Sequence, residues 1–339
     1  MSPQTSPPPL PGAVSAPSDV LVRVRKRERD LVQACLARFG LTATLQTAAG
    51  ASPRLALLDP EMMGVDADVR LARAAEAFPQ TPMLLLSGPQ DRVSLAALVE
   101  VPTVVAVIAR DRKECAAELD EAFATLTAVG SPAHRTGVGR FVPADAPRLT
   151  RELVASLDRD ALLEELETFL SSTGIRPRMA ALARDAVEEL VTNAIYDAPT
   201  DDSGRHIYAD TDRRHVVFLP ENARPRLEIA IHGTHIAATM SDPHGSLEVA
   251  TVRRFLAQGL RGDFSDKAGG AGLGFARIYG LVDRLIVQVI PRIQTEISFT
   301  LEAGTARRDP ASRPTGLLMW TATGNPAWTA PGPTSTMVS

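Results

Sequence analysis

The chain has 339 residues, 45% of them hydrophobic and 22% charged, with a formal net charge of -4. That length accommodates two domains of ordinary size, each with its own core. The charge balance lacks the concentrated basic surface that nucleic-acid binding requires, and the two widely separated cysteines, Cys35 and Cys115, fit small buried hydrophobes in a reducing compartment rather than a disulfide or metal site.

Residues 1–18 are rich in Pro and Ser and are expected to form a flexible arm. They lack the basic start and apolar run of a secretion signal. The longest apolar stretch, near 99–109, carries Glu100 and Pro102 and is far short of a membrane span. A cytoplasmic protein without membrane insertion is therefore expected. Residues 19–128 alternate short apolar runs (20–24, 55–59, 82–88, 103–109) with amphipathic helical patterns (28–40, 68–78, 91–99, 112–127). That alternation predicts an α/β domain of the doubly wound kind, a parallel sheet with helices on both faces. Residues 129–147 break the helical pattern and read as a linker.

Residues 148–303 follow a different pattern. A strand at 150–156 precedes two helices, 158–174 and 178–198; strands follow at 215–219, 226–232 and 235–242. A helix after Asp242, a glycine cluster opening a helix at 273–281, and strands at 285–290 and 295–302 complete the series. Helices and mainly antiparallel strands in blocks predict an α+β two-layer sandwich. From 304 to 339, Pro, Gly, Thr and Ser surround Trp320 and Trp328; the segment reads as a disordered tail, or as a short docking peptide in which a partner covers the tryptophans.

Three segments of the second domain carry candidate chemistry. Glu189 and Asn193 lie four residues apart, hence on one helical face. An amide oxygen and a carboxylate so placed can hold Mg²⁺ and accept a proton beside a phosphate, although an ordinary exposed helix offers the same pair. Asp242 ends a strand in SDPHGSL, where it is either a turn residue or a buried carboxylate that accepts a hydrogen bond from an exocyclic amine. In AGGAGLGF, Gly269, Gly270, Gly272 and Gly274 precede and open a helix, so backbone N–H groups can approach phosphate oxygens, with Lys267 as a further cation. Its late position, after antiparallel strands, argues against a dinucleotide fingerprint.

In order and spacing these segments resemble the motifs of the histidine-kinase-like ATPase superfamily (the Bergerat fold), and within it the anti-sigma-factor serine kinases. EELVTNAI resembles the N box, which implies a catalytic carboxylate at Glu189 and a Mg²⁺-binding asparagine at Asn193. SDPHG resembles the first glycine box, implying adenine recognition by Asp242 and a loop glycine at Gly245; the usual Asp-x-Gly-x-Gly is altered, with one glycine displaced and one missing. GGAGLGF resembles the second, implying phosphate-facing glycines at Gly270, Gly272 and Gly274, while 251–268 falls where the family has a mobile lid. ATP and Mg²⁺ are the cofactors this resemblance implies. No His-bearing helical hairpin precedes the domain, which argues against histidine autophosphorylation.

The first domain resembles a response-regulator receiver. LALLDPEMMG places Asp59 at the phosphoacceptor position and PMLLLSG places Ser87 at the switch position. The acidic pair that would bind Mg²⁺ is replaced near Val24 and Arg25, and Arg110 stands beside the position of the family lysine. Asp59 is thus expected to phosphorylate poorly, with Arg25 or Arg110 neutralising it: a pseudo-receiver suited to docking. Together the resemblances imply a signalling regulator that binds ATP and works by partner switching or Ser/Thr phosphorylation of a regulatory protein. The alternative is a non-catalytic scaffold in which both domains serve only protein contacts.

Overall fold

A computed structural model describes residues 20–46, 52–88, 91–127, 136–201, 203–263, 273–303 and 315–321. These residues form a mixed α/β fold of eleven strands and eight α-helices. In the amino-terminal half, β1 (Val20–Arg23), β2 (Ala43–Thr44), β3 (Leu55–Leu58), β4 (Met83–Ser87) and β5 (Val104–Ala109) run parallel in the order β2-β1-β3-β4-β5. The continuous apolar runs of β3 and β4 suit strands covered on both faces. On one face α1 (Arg29–Arg38) and α4 (Cys115–Thr127) share a core with the sheet through Val32, Leu36, Leu119 and Phe123. On the other, α2 (Ala67–Ala77) and α3 (Arg92–Glu100) do so through Leu71, Leu95 and Val99. Cys35 and Cys115 are buried free thiols, and burial pushes them up to about 11 and about 12 respectively.

The carboxy-terminal half contains β6 (Arg148–Glu152), β7 (Arg226–His232), β8 (His235–Asp242), β9 (Arg284–Ile290) and β10 (Gln294–Glu302), antiparallel in the order β9-β10-β8-β7-β6. Alternate residues such as Leu227, Ile229, Ile297 and Phe299 share a core with α5 (Asp158–Ser172), α6 (Pro177–Thr192), α7 (Val249–Arg261) and α8 (Leu273–Leu281). The opposite alternation of β10, Glu296, Ser298, Thr300 and Glu302, reads as a wet face but is buried.

Residues 136–147, expected to be part of a linker, help to cover that back face. Val138, Val142 and Ala146 pack with Ala230 and Ala237. The guanidinium of Arg140 donates to Gln288 Oε1 and Ser298 Oγ at 2.7 Å each and pairs with Glu296 at 2.8 Å. A buried cation so paired is tolerable where an unpaired one is not.

Two further expectations fail locally. The run 215–219 forms no strand: Phe218 makes a single bridge to Ala155, because the segment pairs only with the short stretch 154–156. The expected disordered tail contains β11 (Gly316–Thr321), which runs parallel to β9 and antiparallel to β5 and so joins the two halves in one eleven-stranded sheet. Leu317 and Met319 enter one core; Leu318 and Trp320 enter the other. The physical reason is burial of an apolar run, GLLMWT, which outweighs the polar composition around it.

A second tie runs between helices. Arg253 of α7 is buried and donates to the carbonyls of Val99, Val101 and Pro102 at 2.5, 3.0 and 3.3 Å. A cation there meets carbonyls of the last turn of α3 and of the residues just after it, at the negative end of the helix dipole, and burial lowers its pKa to about 10. Arg261 forms a second bond to Glu100, 2.6 Å between Nη1 and Oε1. The part of 251–268 that is described, resembling a mobile lid in sequence, is thus a helix fastened to α3.

Candidate functional site

Pro177 opens α6 at its first turn, where its missing N–H costs nothing. Met179, Ala183, Ala186, Val187 and Leu190 recur at helical spacing and are buried. The expected helix 178–198 is helical as far as Asp197, but after Thr192 it widens into a π-helical turn, Asn193–Asp197. Such turns are rare and concentrate at functional sites.

This turn faces a cavity of about 450 Å³, within the range of small-molecule sites. Asn193, Ala194 and Asp197 form one side, Met240 and Asp242 the end of β8, and Thr251 and Phe255 of α7 another wall; Phe275 and Ile297 close it. The Nδ2 of Asn193 is buried and has no acceptor among the described residues, so a buried amide dipole awaits a polar partner. Asp242 is 6% exposed, and its Oδ1 accepts from the His244 N–H at 3.0 Å. Burial raises its pKa, with the His244 amide opposing the shift. Asp197 is also pushed up by burial, opposed by Arg213, which stacks on Tyr196 at 3.9 Å.

Glu189 sits one turn before Asn193, against α8. A Cβ on Gly274 would lie 2.9 Å from Glu189 Oε2 and 3.5 Å from Asn193 Nδ2. Glycine there lets the carboxylate and the amide approach the start of α8. Gly245 has a different role: with φ of +58°, its added Cβ would lie 2.1 Å from the Ile290 carbonyl oxygen and 2.7 Å from the Arg292 nitrogen. It seats the loop after Asp242 on the β9–β10 turn, where its carbonyl accepts from Arg292 N–H at 3.2 Å. Gly245→Ala is expected to lower unfolding stability in urea by more than about 1 kcal/mol, because both conformation and space exclude a side chain. Lys267, Gly269, Gly270 and Gly272 lie outside the described residues.

Sequence reasoning missed three neighbours. Asp197 follows Asn193 at the same four-residue spacing that singled out Glu189, so the signal was available. His206, in an irregular segment lining the cavity, has none. Arg277, three residues beyond Gly274, donates to Glu189 Oε1 at 2.6 Å; its place on the helix that follows the glycine cluster was the clue.

In the parallel half, Asp59 directly follows β3 and is 1% exposed. Arg25 Nε and Arg110 Nη1 both donate to its Oδ2, at 3.0 and 2.7 Å, and Glu61 N–H donates to Oδ1 at 2.9 Å. Both arginines also pair with Glu61. Ser87, buried at the end of β4, donates to the Gly88 carbonyl at 3.0 Å. Asp59 is thus held in a four-residue charge cluster.

Among the described residues, no helix is long and apolar enough to cross a membrane, and no three or more His, Cys, Asp or Glu side chains are grouped to hold a metal ion. Comparison of the chain with protein-family models and with curated proteins found no match.

Proposed function

We propose that the chain is a signalling regulator that binds ATP in the cavity beside Asn193 and Asp242. Its carboxy-terminal half is read as a histidine-kinase-like ATPase domain and its amino-terminal half as a pseudo-receiver. The observation that carries the reading is convergence: Asn193 from the π-helical turn, Asp242 from the end of β8 and Phe275 from α8, distant in sequence, line one cavity, and Glu189 of α6 and Gly274 of α8 meet beside Asn193. The apolar walls from Met240, Phe255, Phe275 and Ile297 suit a flat aromatic ring, and the Asp242 carboxyl suits an exocyclic amine. The unpartnered Nδ2 of Asn193 and the start of α8 suit phosphate oxygens, and the Asn193 Oδ1 suits a phosphate-bound Mg²⁺, which usually needs few protein ligands when phosphates supply others. Bound Mg²⁺ would offset charge on the phosphates. Glu189 would serve as the proton acceptor, Asp242 would orient the base, and the walls would exclude water. For the other half, the strand order with helices on both faces and the acid at the end of β3 support the doubly wound receiver-like reading.

Partner switching or Ser/Thr phosphorylation would then be the output, with a regulatory protein as partner. A second reading, a non-catalytic scaffold, draws on one specific observation. Both acids that would do chemistry, Glu189 and Asp59, are paired with arginine.

Thermal unfolding with and without Mg-ATP separates the two. Nucleotide at a hundred times its dissociation constant is expected to add about 2.7 kcal/mol of stability. Asp242→Ala is expected to abolish the shift, and Glu189→Ala to keep it while removing hydrolysis or transfer. No shift at millimolar Mg-ATP would refute ATP binding and favour the scaffold.

A further inference from the structure

Arg277 lies on α8, one turn beyond Gly274, and its guanidinium crosses to α6. Nη1 lies 2.6 Å from Glu189 Oε1, and Nη2 lies 3.9 Å from Asp185 Oδ2, one turn earlier on the same helix. The other oxygen of Glu189 faces Gly274, 2.9 Å from the position of an added Cβ. The carboxylate is therefore bounded on two sides by α8: backbone without a side chain at Gly274, and a cation at Arg277. Glu189 is 20% exposed and Arg277 55% exposed. The carboxylate is the sheltered member and the arginine the one free to swing out, since a half-exposed guanidinium on a flexible stem loses little when it leaves one partner for water.

A charge-assisted bond to guanidinium occupies a lone pair that a proton acceptor would use. We propose that Arg277 is a latch on Glu189, a positioning residue that keeps this carboxylate paired and unreactive until something draws the arginine away. The proposal rests on the reading of Glu189 as proton acceptor, but the latch itself is a property of the nucleotide-free protein. Released, Glu189 takes one proton from an attacking water. The water oxygen bonds to the terminal phosphorus of ATP, and the bond from that phosphorus to the bridging oxygen breaks with its electron pair leaving on ADP. The proton is then lost from Glu189 to solvent. The same release would serve a serine or threonine hydroxyl in place of water. The latch reconciles the meeting of Glu189, Asn193 and Gly274 with a base that is masked at rest.

The test uses the full chain in two independent measurements. In the first, without nucleotide, the protein is treated with a water-soluble carbodiimide and glycine amide, and modification at Glu189 is followed by peptide mass spectrometry. Arg277→Ala is expected to raise the labelling rate of Glu189 several-fold, Arg277→Lys to restore most of the protection, and labelling of exposed Glu76 to stay constant. Equal Glu189 labelling in wild type and Arg277→Ala would overturn the latch, whether or not ATP binds. In the second, Arg277→Ala is expected to raise kcat for ATP hydrolysis several-fold with KM within about twofold, and Arg277→Lys to return kcat toward wild type. A gain of turnover cannot come from misfolding. Unchanged or reduced kcat, with the Mg-ATP thermal shift intact, would overturn the role of the latch in catalysis. Absence of that shift in the wild type would refute the nucleotide reading and the catalytic role together, leaving the labelling result to decide the ion pair.

Discussion

Leu318→Ala is expected to destabilise the protein by about 2–5 kcal/mol, the range for removing a fully buried leucine and leaving a cavity. Leu318 is 0% exposed and lies in β11 between the two halves, paired with Ala106 of β5 and Ile286 of β9. Its side chain packs in the core shared by α1, α4 and the parallel strands, so the loss falls on the amino-terminal half although the residue follows the carboxy-terminal one. Urea unfolding monitored by circular dichroism and by tryptophan fluorescence measures this, because Trp320 is two residues away and 8% exposed. The two signals are expected to shift together to lower urea. A fluorescence transition that moves alone would mean that β11 melts independently and does not join the halves.

The second large effect is expected at the Asp59 cluster. Arg110→Ala removes a 4% exposed guanidinium from a 1% exposed carboxylate, and stranding a buried charge in this way costs about 3–5 kcal/mol. Arg25 remains at 3.0 Å but is 34% exposed, so it only partly compensates. Adding Asp59→Asn to Arg110→Ala is expected to recover most of the loss, since the amide carries no charge to strand. A double variant no more stable than Arg110→Ala, measured by the same unfolding titration, would mean that Arg110 acts through packing rather than through Asp59.

Much of the fold was legible because periodicity reports burial. The runs at 55–59, 82–88 and 103–109 became β3, β4 and β5, and the helical patterns became α1 to α4 with ends shifted by up to a few residues. The helical position of Asn193 and the strand-end position of Asp242 are also where the sequence pattern put them, and both line one cavity, while Glu189 lies one turn before Asn193 against α8. Three features were not legible, each for a physical reason. The segment 316–321 looked like tail because neighbouring Pro, Gly and Thr dominate the composition, whereas its structure is decided by two sheet edges distant in sequence. Alternate residues of β10 are polar, and only the tertiary placement of Arg140 and residues 136–147 explains why that face is buried. The π-helical turn at Asn193–Asp197 changes hydrogen-bond spacing without changing residue types, so no pattern announces it.

The position of β11 in the chain also sets an order of assembly. On the ribosome, β1 to β5 emerge first, and β5 has β4 on one side only until β11 arrives after the whole antiparallel half has been made. Throughout that interval its free side is an open row of backbone donors and acceptors, the kind of template on which another nascent chain can pair. A ribosome stalled short of β11 would thus expose an adhesive intermediate, and fusions or truncations that delay or remove 316–321 are the ones whose yield should depend most on chaperone supply.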